Sequence, residues 1–158
     1  MEKFTFFWSG PFSNWHPSSF KINGVWYNTS EQYMMAEKAR LFNDKSTEAK
    51  IMASIDPSDQ KAYGRLVQGF DKAKWESVAK DVMFKGCLAK FIQNEDLKKA
   101  LLDTKGTTLV EASPKDRIWG IGLAKNDPRA KDRSTWLGTN WLGETLTKVR
   151  DHIESVDS

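Results

Sequence analysis

Residues 72–93 read KAKWESVAKDVMFKGCLAKFIQ. Trp75, Val78, Ala79, Val82 and Met83, then Leu88, Phe91 and Ile92, recur at three- and four-residue spacing, which an α-helix gathers into one apolar stripe. Upstream, Thr29-Ser30-Glu31-Gln32 is a capping box, with Thr29 as N-cap and Gln32 at the third helical position. That helix runs to about Phe42, and Asn43-Asp44 ends it. A short helix is predicted over 46–55, and a third begins with Asp56 as cap and Pro57 in its first turn. Downstream, Asn94 is expected to cap a helix whose Leu97, Leu101 and Leu102 face inward, and Gly106 follows it. Leu142, Leu146, Val149 and Ile153, spaced 4, 3 and 4 apart, mark a last helix. Strand chemistry is confined to 107–112, ended by Ser113-Pro114, and to two short strands around the turn Ile22-Asn23-Gly24-Val25. Residues 1–28 otherwise read as irregular or extended, and 115–141 as loop. The predicted fold class is mostly α, a single compact domain over 1–158 with a few short strands.

Composition removes several functions. Hydrophobic residues at 39% and charged residues at 28% exclude a disordered tail. Seven tryptophans exceed what a core of this size needs, so some should line a pocket or groove. No run of about 18 apolar residues exists, so no membrane span is expected. The N-terminal apolar run breaks at Ser9-Gly10-Pro11, too early for a signal-peptide core. One cysteine, Cys87, forbids an internal disulfide and fits a reducing compartment, so the expected location is the cytoplasm. With one Cys, and with His16 and His152 at opposite ends, no metal site is expected. Lysine and arginine exceed the acids by 24 to 21, a net +3, which permits a phosphate-bearing ligand or transient contact with nucleic acid. Catalysis would fall to carboxylates, lysines and aromatics.

Glu31 and Lys38 lie seven residues apart on the helix capped by Thr29. At about 100° per residue they fall about 20° short of two full turns, so both leave one face. Met34 and Met35 between them supply apolar surroundings. A carboxylate and an amine converging on such a pocket shift each other's pKa and can act as proton shuttle and nucleophile. On spacing alone a solvated helix face is the plainer alternative, since Glu37 and Arg40 are close by. In Asp116-Arg117-Ile118-Trp119-Gly120-Ile121-Gly122-Leu123, two glycines beside a Trp would let the backbone approach a ligand and present N–H groups to a phosphate or ribose. The alternative is a turn that packs Trp119 and uses glycine for positive φ. Phe12-Ser13-Asn14-Trp15 frames small polar groups with aromatics and suits a flat base or sugar, or else an Asx-turn with core aromatics. Trp75 is core, or a core edge with one face toward ligand. Cys87 reads as a small buried hydrophobe.

In order along the chain, these segments resemble the NADAR family, whose bacterial YbiA-like members are N-glycosidases. The resemblance rests on Phe12-Ser13-Asn14 and on Ser30-Glu31-Gln32-Tyr33 with Lys38. It continues through Trp75-Glu76-Ser77-Val78 leading to Met83, then Leu109-Val110-Glu111, then Asp116 with Trp119-Gly120 and Gly122. It ends with Asn140, Leu142 and Gly143 before the last helix. It implies a compact, mostly helical YbiA-like fold and an activity, free of metal and cofactor, that cleaves bonds between nitrogen and ribose. It implies Glu31, Lys38 and Asp116 as catalytic residues. It implies Phe12, Ser13, Asn14, Trp75, Trp119, Gly120, Gly122 and Asn140 as substrate-binding residues.

Two substrate classes go with the family: ribosylamino-pyrimidine phosphates of riboflavin synthesis, and ADP-ribose attached to guanine bases. The sequence departs from the YbiA pattern at Ile121, where that branch tends to carry an acid, and in a longer, more basic 123–139 loop. Within it, residues 125–133 hold four cations and two acids, net +2, beside the glycine turn. Both departures favour ADP-ribose, because an acid at 121 would repel a second phosphate and the extra cations would neutralise one. In both substrates the ribose is joined to an exocyclic amine, which can open the sugar ring to an imine. Lys38 could then attack C1 and form a Schiff base, with Glu31 as proton shuttle and Asp116 holding a ribose hydroxyl or aiding ring opening. The alternative is direct hydrolysis, with Glu31 activating water and Lys38 stabilising charge. A binding module for ADP-ribose or nucleotide without turnover is the reading from another class. The expected partners are an ADP-ribose or ribose-phosphate substrate and ADP-ribosylated nucleic acid met transiently, with the protein a monomer and no membrane contact.

Overall fold

The computed structural model describes residues 1–157, and its first helices start where the capping residues say they should. The chain folds as two compact units, Asn14–Asn94 and a second formed by 1–13 with 95–157.

In the first unit, strands β2 (Phe20–Ile22) and β3 (Val25–Tyr27) form the expected antiparallel hairpin, with Phe20 opposite Tyr27. Its two central residues, Asn23 and Gly24, both have positive φ, as a tight two-residue hairpin turn requires. Four helices follow: α1 (Ser30–Leu41), α2 (Lys45–Ala53), α3 (Pro57–Gly64) and α4 (Lys72–Ile92). Thr29, Asp44, Asp56 and Asp71 cap them by accepting the N–H groups of Gln32, Thr47, Ser58 and Lys74. Helix α1 is the central element and packs against α2, α3 and α4. Close approach is possible because two neighbours lack side chains there. A Cβ at Gly86 of α4 would stand 2.7 Å from the Tyr33 ring, and one at Gly64 of α3 would collide with Met35. Tyr33 in turn meets Tyr27 edge-on at 5.0 Å, and Tyr27 stacks on Phe20, so the hairpin is anchored to α1 by aromatic contact.

The stripe predicted for α4 buries Trp75, Ala79, Met83 and Phe91, while Ile92 is exposed. Cys87 is fully buried, as read, and its thiol is pushed up to about 11 by desolvation. Lys90, which the apolar spacing omitted, is also fully buried; desolvation pulls its amine down to about 8. Asn94 departs from its predicted role: its amide donates to the carbonyls of Lys90 and Ser19, so it closes the end of α4.

In the second unit, β1 (Phe4–Phe7) lies parallel to β4 (Thr108–Glu111), and α6 (Trp141–Asp157) packs on β4; α5 is Glu95–Leu102. Leu142, Leu146, Val149 and Ile153 are buried along α6, as their spacing required. Two short 3-10 turns, Pro128–Lys131 and Arg133–Thr135, interrupt the stretch expected to be loop. No helix among the described residues is long and apolar enough to cross a membrane.

Two outcomes follow from the packing of α4. Gly86→Ala forces the Tyr33 ring to move and should cost about 1–3 kcal/mol in urea unfolding. Lys90 has a folded pKa below its ordinary 10.5, so its buried ammonium costs stability at low pH and the cost is relieved as pH rises. Cys87 acts oppositely above pH 9, where the unfolded thiol ionises first. Between pH 8 and 9 the wild type should therefore gain stability, and Lys90→Met should not.

Candidate active site

The first turn of α1 is buried, so its N–H groups need protein acceptors. The Asn14 carbonyl takes the Glu31 N–H at 3.1 Å, and the Ser30 hydroxyl donates to Asn14 Oδ1 at 2.8 Å. The Thr29 hydroxyl takes the Gln32 N–H and donates to Gln60 Oε1 at 2.6 Å. Gln32 does not close the capping box on Thr29. Its Oε1 accepts from the Asn28 N–H, and its Nε2 donates to the carbonyls of Ile51, Met52 and Ser54 at the end of α2. Gln60 ties α3 to the same cluster through Asn28 and Ser54.

Held this way, α1 presents Glu31 and Lys38. Glu31 is 5% exposed. Lys38 is half-buried, its Nζ 4.6 Å from the centroid of the Phe70 ring. Its pKa is lowered: burial is the main cause, the Arg65 charge adds to it, and the Glu31 carboxylate opposes both. Phe70 meets Phe42 edge-on at 5.5 Å, and Lys74 lies 5.6 Å from the Phe42 centroid. Glu37 and Arg40, which made a solvated face the plainer alternative, are engaged with each other, and Arg40 also reaches Glu48 and Tyr27. A buried acid beside an amine that gives up its proton more readily is equipped for proton transfer and nucleophilic attack. Asn14, joined to Ser30, stands one residue from Glu31, and its Nδ2 makes no hydrogen bond among the described residues. Trp75, at 8% exposure, is core rather than platform.

The other predicted residues belong to the second unit. Phe12 is half-buried with its ring edge-on to Phe7, and the Ser13 N–H closes a turn onto the Gly10 carbonyl. Asp116 Oδ1 accepts the N–H groups of Ile118, Trp119 and, at 3.4 Å, Gly120. The Ile121 N–H goes to the Glu111 carbonyl and the Gly122 N–H to the Asp116 carbonyl. The glycines therefore do not present N–H groups to a ligand. Gly122 supplies positive φ, and Gly120 lets three neighbours approach, two of them backbone carbonyls 3.0 Å from where its Cβ would be. Trp119 packs edge-on against Trp141 at 5.5 Å.

Asn140 is fully buried at positive φ; its Oδ1 accepts from the Glu111 N–H and its Nδ2 donates to the Leu109 carbonyl, so its amide holds β4. Ile121 is fully buried with Val110, Leu123 and Ala130. Of the four loop cations, Arg129 is paired with Asp127, and Arg133 with Glu2 and Glu144.

A family model described as the NADAR domain matches residues 6–154. The chain belongs to the NADAR family. Protein irg-1 of Caenorhabditis elegans is 42% identical over 90% of this NADAR chain and 74% of its own length. N-glycosidase R617 of Acanthamoeba polyphaga mimivirus is 43% identical over 89% of this chain and 85% of its own. The NMR structure of the Escherichia coli protein YbiA superposes with a TM-score of 0.79 at 31% identity, covering all of this chain and 90% of that one. The YbiA-like, mostly helical fold expected from the sequence is the fold observed.

Sequence reasoning missed four residues around the NADAR chain's acid–amine pair: Phe42, Arg65, Phe70 and Lys74. In the sequence Phe42 marks only the end of a helix, Arg65 and Phe70 lie in a connection with no periodicity, and Lys74 is one charge among many on α4. Asn140→Ala removes both amide bonds to β4 and places alanine at positive φ. It should cost about 2–5 kcal/mol of stability. A ligand-binding asparagine would leave the melting temperature unchanged.

Proposed function

We propose that this chain removes ADP-ribose from ADP-ribosylated guanine by hydrolysing the bond between ribose C1 and the exocyclic amine. The coarser statement, a hydrolase of N-glycosyl bonds, rests on membership of the NADAR family and on relatives named N-glycosidase. The observation that carries the chemistry is Lys38, whose burial on α1 beside Glu31 favours the neutral amine.

The reaction runs as follows. The exocyclic nitrogen lone pair forms C1=N as the bond from C1 to the ring oxygen breaks, and Glu31 gives that oxygen a proton. Lys38 Nζ adds to C1. Its proton passes to the exocyclic nitrogen, the base leaves as a neutral amine, and C1 remains bound to Lys38 as an imine. Water adds to that imine with Glu31 taking its proton, and cleavage of C1–Nζ returns the lysine and frees ADP-ribose. Arg65 and Lys74 make no ion pair among the described residues and add two cations beyond the reacting pair. That balance favours a pyrophosphate over a sugar monophosphate, and the Phe42–Phe70 pair suits a nucleobase.

Initial rates on ADP-ribosylated guanosine and on a ribosylamino-pyrimidine phosphate, at equal concentration and low salt, decide the substrate. The first should be cleaved faster. Faster cleavage of the second would restore the metabolic substrate, and no cleavage of either would leave a binding module. Lys38→Arg should abolish turnover, since arginine keeps the charge but not a neutral amine. Retained activity would mean direct attack by water that Glu31 activates. Glu31→Gln should slow the reaction by about 10²–10⁴-fold with little change in affinity. The wild-type rate should rise with pH as Lys38 loses its proton and level off below the pH an ordinary lysine would need.

A further inference from the structure

We propose that the open groove beside Trp8 binds single-stranded nucleic acid, with one base stacked on Trp8 and two phosphates paired with Lys125 and Lys131. The groove has a volume of about 780 Å³ and lies wholly within the unit formed by 1–13 and 95–157. Trp8 directly follows β1, whose pairing with β4 fixes where the indole stands, and it is 67% exposed. Pro114 and Pro128 extend the apolar lining, and Asn126 adds a polar group. Lys125 and Lys131 also line the groove, are exposed, and make no ion pair among the described residues.

The acids nearby are already engaged. Asp127 holds Arg129, Asp132 accepts from the Ser134 N–H and hydroxyl, and Glu2 and Glu144 hold Arg133. The residues that line the groove include two lysines and no acid, so its wall is cationic and otherwise largely apolar. A duplex hides its base faces and offers nothing to Trp8. An acidic peptide would satisfy the lysines but not the indole and prolines. An unpaired strand carries both an anionic backbone and bare base faces. No residue of this groove belongs to the acid–amine pair, so the inference stands apart from the glycosidase reading.

The test is fluorescence anisotropy of the full chain with a fluorescein-labelled, unmodified 12-nucleotide oligodeoxythymidylate. Binding should weaken with salt. Trp8→Ala should weaken it by about 5- to 150-fold, the range for loss of one base–aromatic stack. The double variant Lys125→Gln, Lys131→Gln should flatten the slope of log K against log salt by about 1.4, two single-strand phosphate contacts. Circular dichroism confirms that each variant folds, and turnover of free ADP-ribosylated guanosine should be unchanged in Trp8→Ala. The proposal is overturned if the oligonucleotide does not bind, or if both variants bind it as the wild type does. It is equally overturned if a duplex of the same length binds as tightly, or if polyglutamate of matched charge competes as well as the strand. Absence of turnover on the free nucleoside would count against the glycosidase reading and leave the groove untouched.

Discussion

A helix whose first turn is buried cannot leave its N–H groups to water, and α1 begins in the interior of its unit. The Asn14 carbonyl takes the Glu31 N–H and the Thr29 hydroxyl the Gln32 N–H, while the amides of Gln32 and Gln60 tie the surrounding segments to the same place. Each brings a different stretch of chain to one point: the segment before the hairpin, the residue before the helix, the end of α2 and the body of α3. The position and direction of α1 depend on this cluster. Glu31 lies inside it, and helical geometry carries that placement two turns on to Lys38.

The energetic consequence is an amine that gives up its proton more readily than it would in water. Desolvation disfavours the ammonium, Arg65 adds repulsion, and the Glu31 carboxylate recovers only part of the loss. The Phe70 ring face keeps the amine in place without neutralising it, as a hydrogen-bonded carboxylate would. Arg40, two residues along the same helix, is the contrast: bonded to Glu37, Glu48 and Tyr27, it is fixed as a cation. One helix thus carries a cation fixed by its partners and an amine that burial makes easier to deprotonate, separated by what surrounds each.

What was legible in the sequence was what is decided locally. Caps at Thr29 and Asp56, the Asn23-Gly24 turn and the 4, 3, 4 spacing of α6 each depend on residues a few positions apart, and each was found. The partnership of β1 with β4 spans about a hundred residues and left no local mark. The glycine loop shows a second limit. Gly120 and Gly122 stand out for close approach, but a sequence does not say what approaches; here it is the Asp116 and Glu111 carbonyls at Gly120 and Arg117 and Leu137 at Gly122. Asn140 and Ile121 mark the same limit, since an amide or a methyl near a motif gives no sign of how deeply it is buried. Glu31 and Lys38 were legible as a pair because helical spacing alone places them on one face, while Phe70 and Arg65 come from connections that carry no period.

The central claim is that Lys38 attacks C1 as a neutral amine and carries the sugar as an imine. Turnover in the presence of cyanoborohydride, followed by peptide mass spectrometry, tests it directly. The account predicts a reduced sugar adduct on Lys38 and progressive loss of activity. Full turnover with Lys38 unmodified, or an adduct on another lysine, would contradict it.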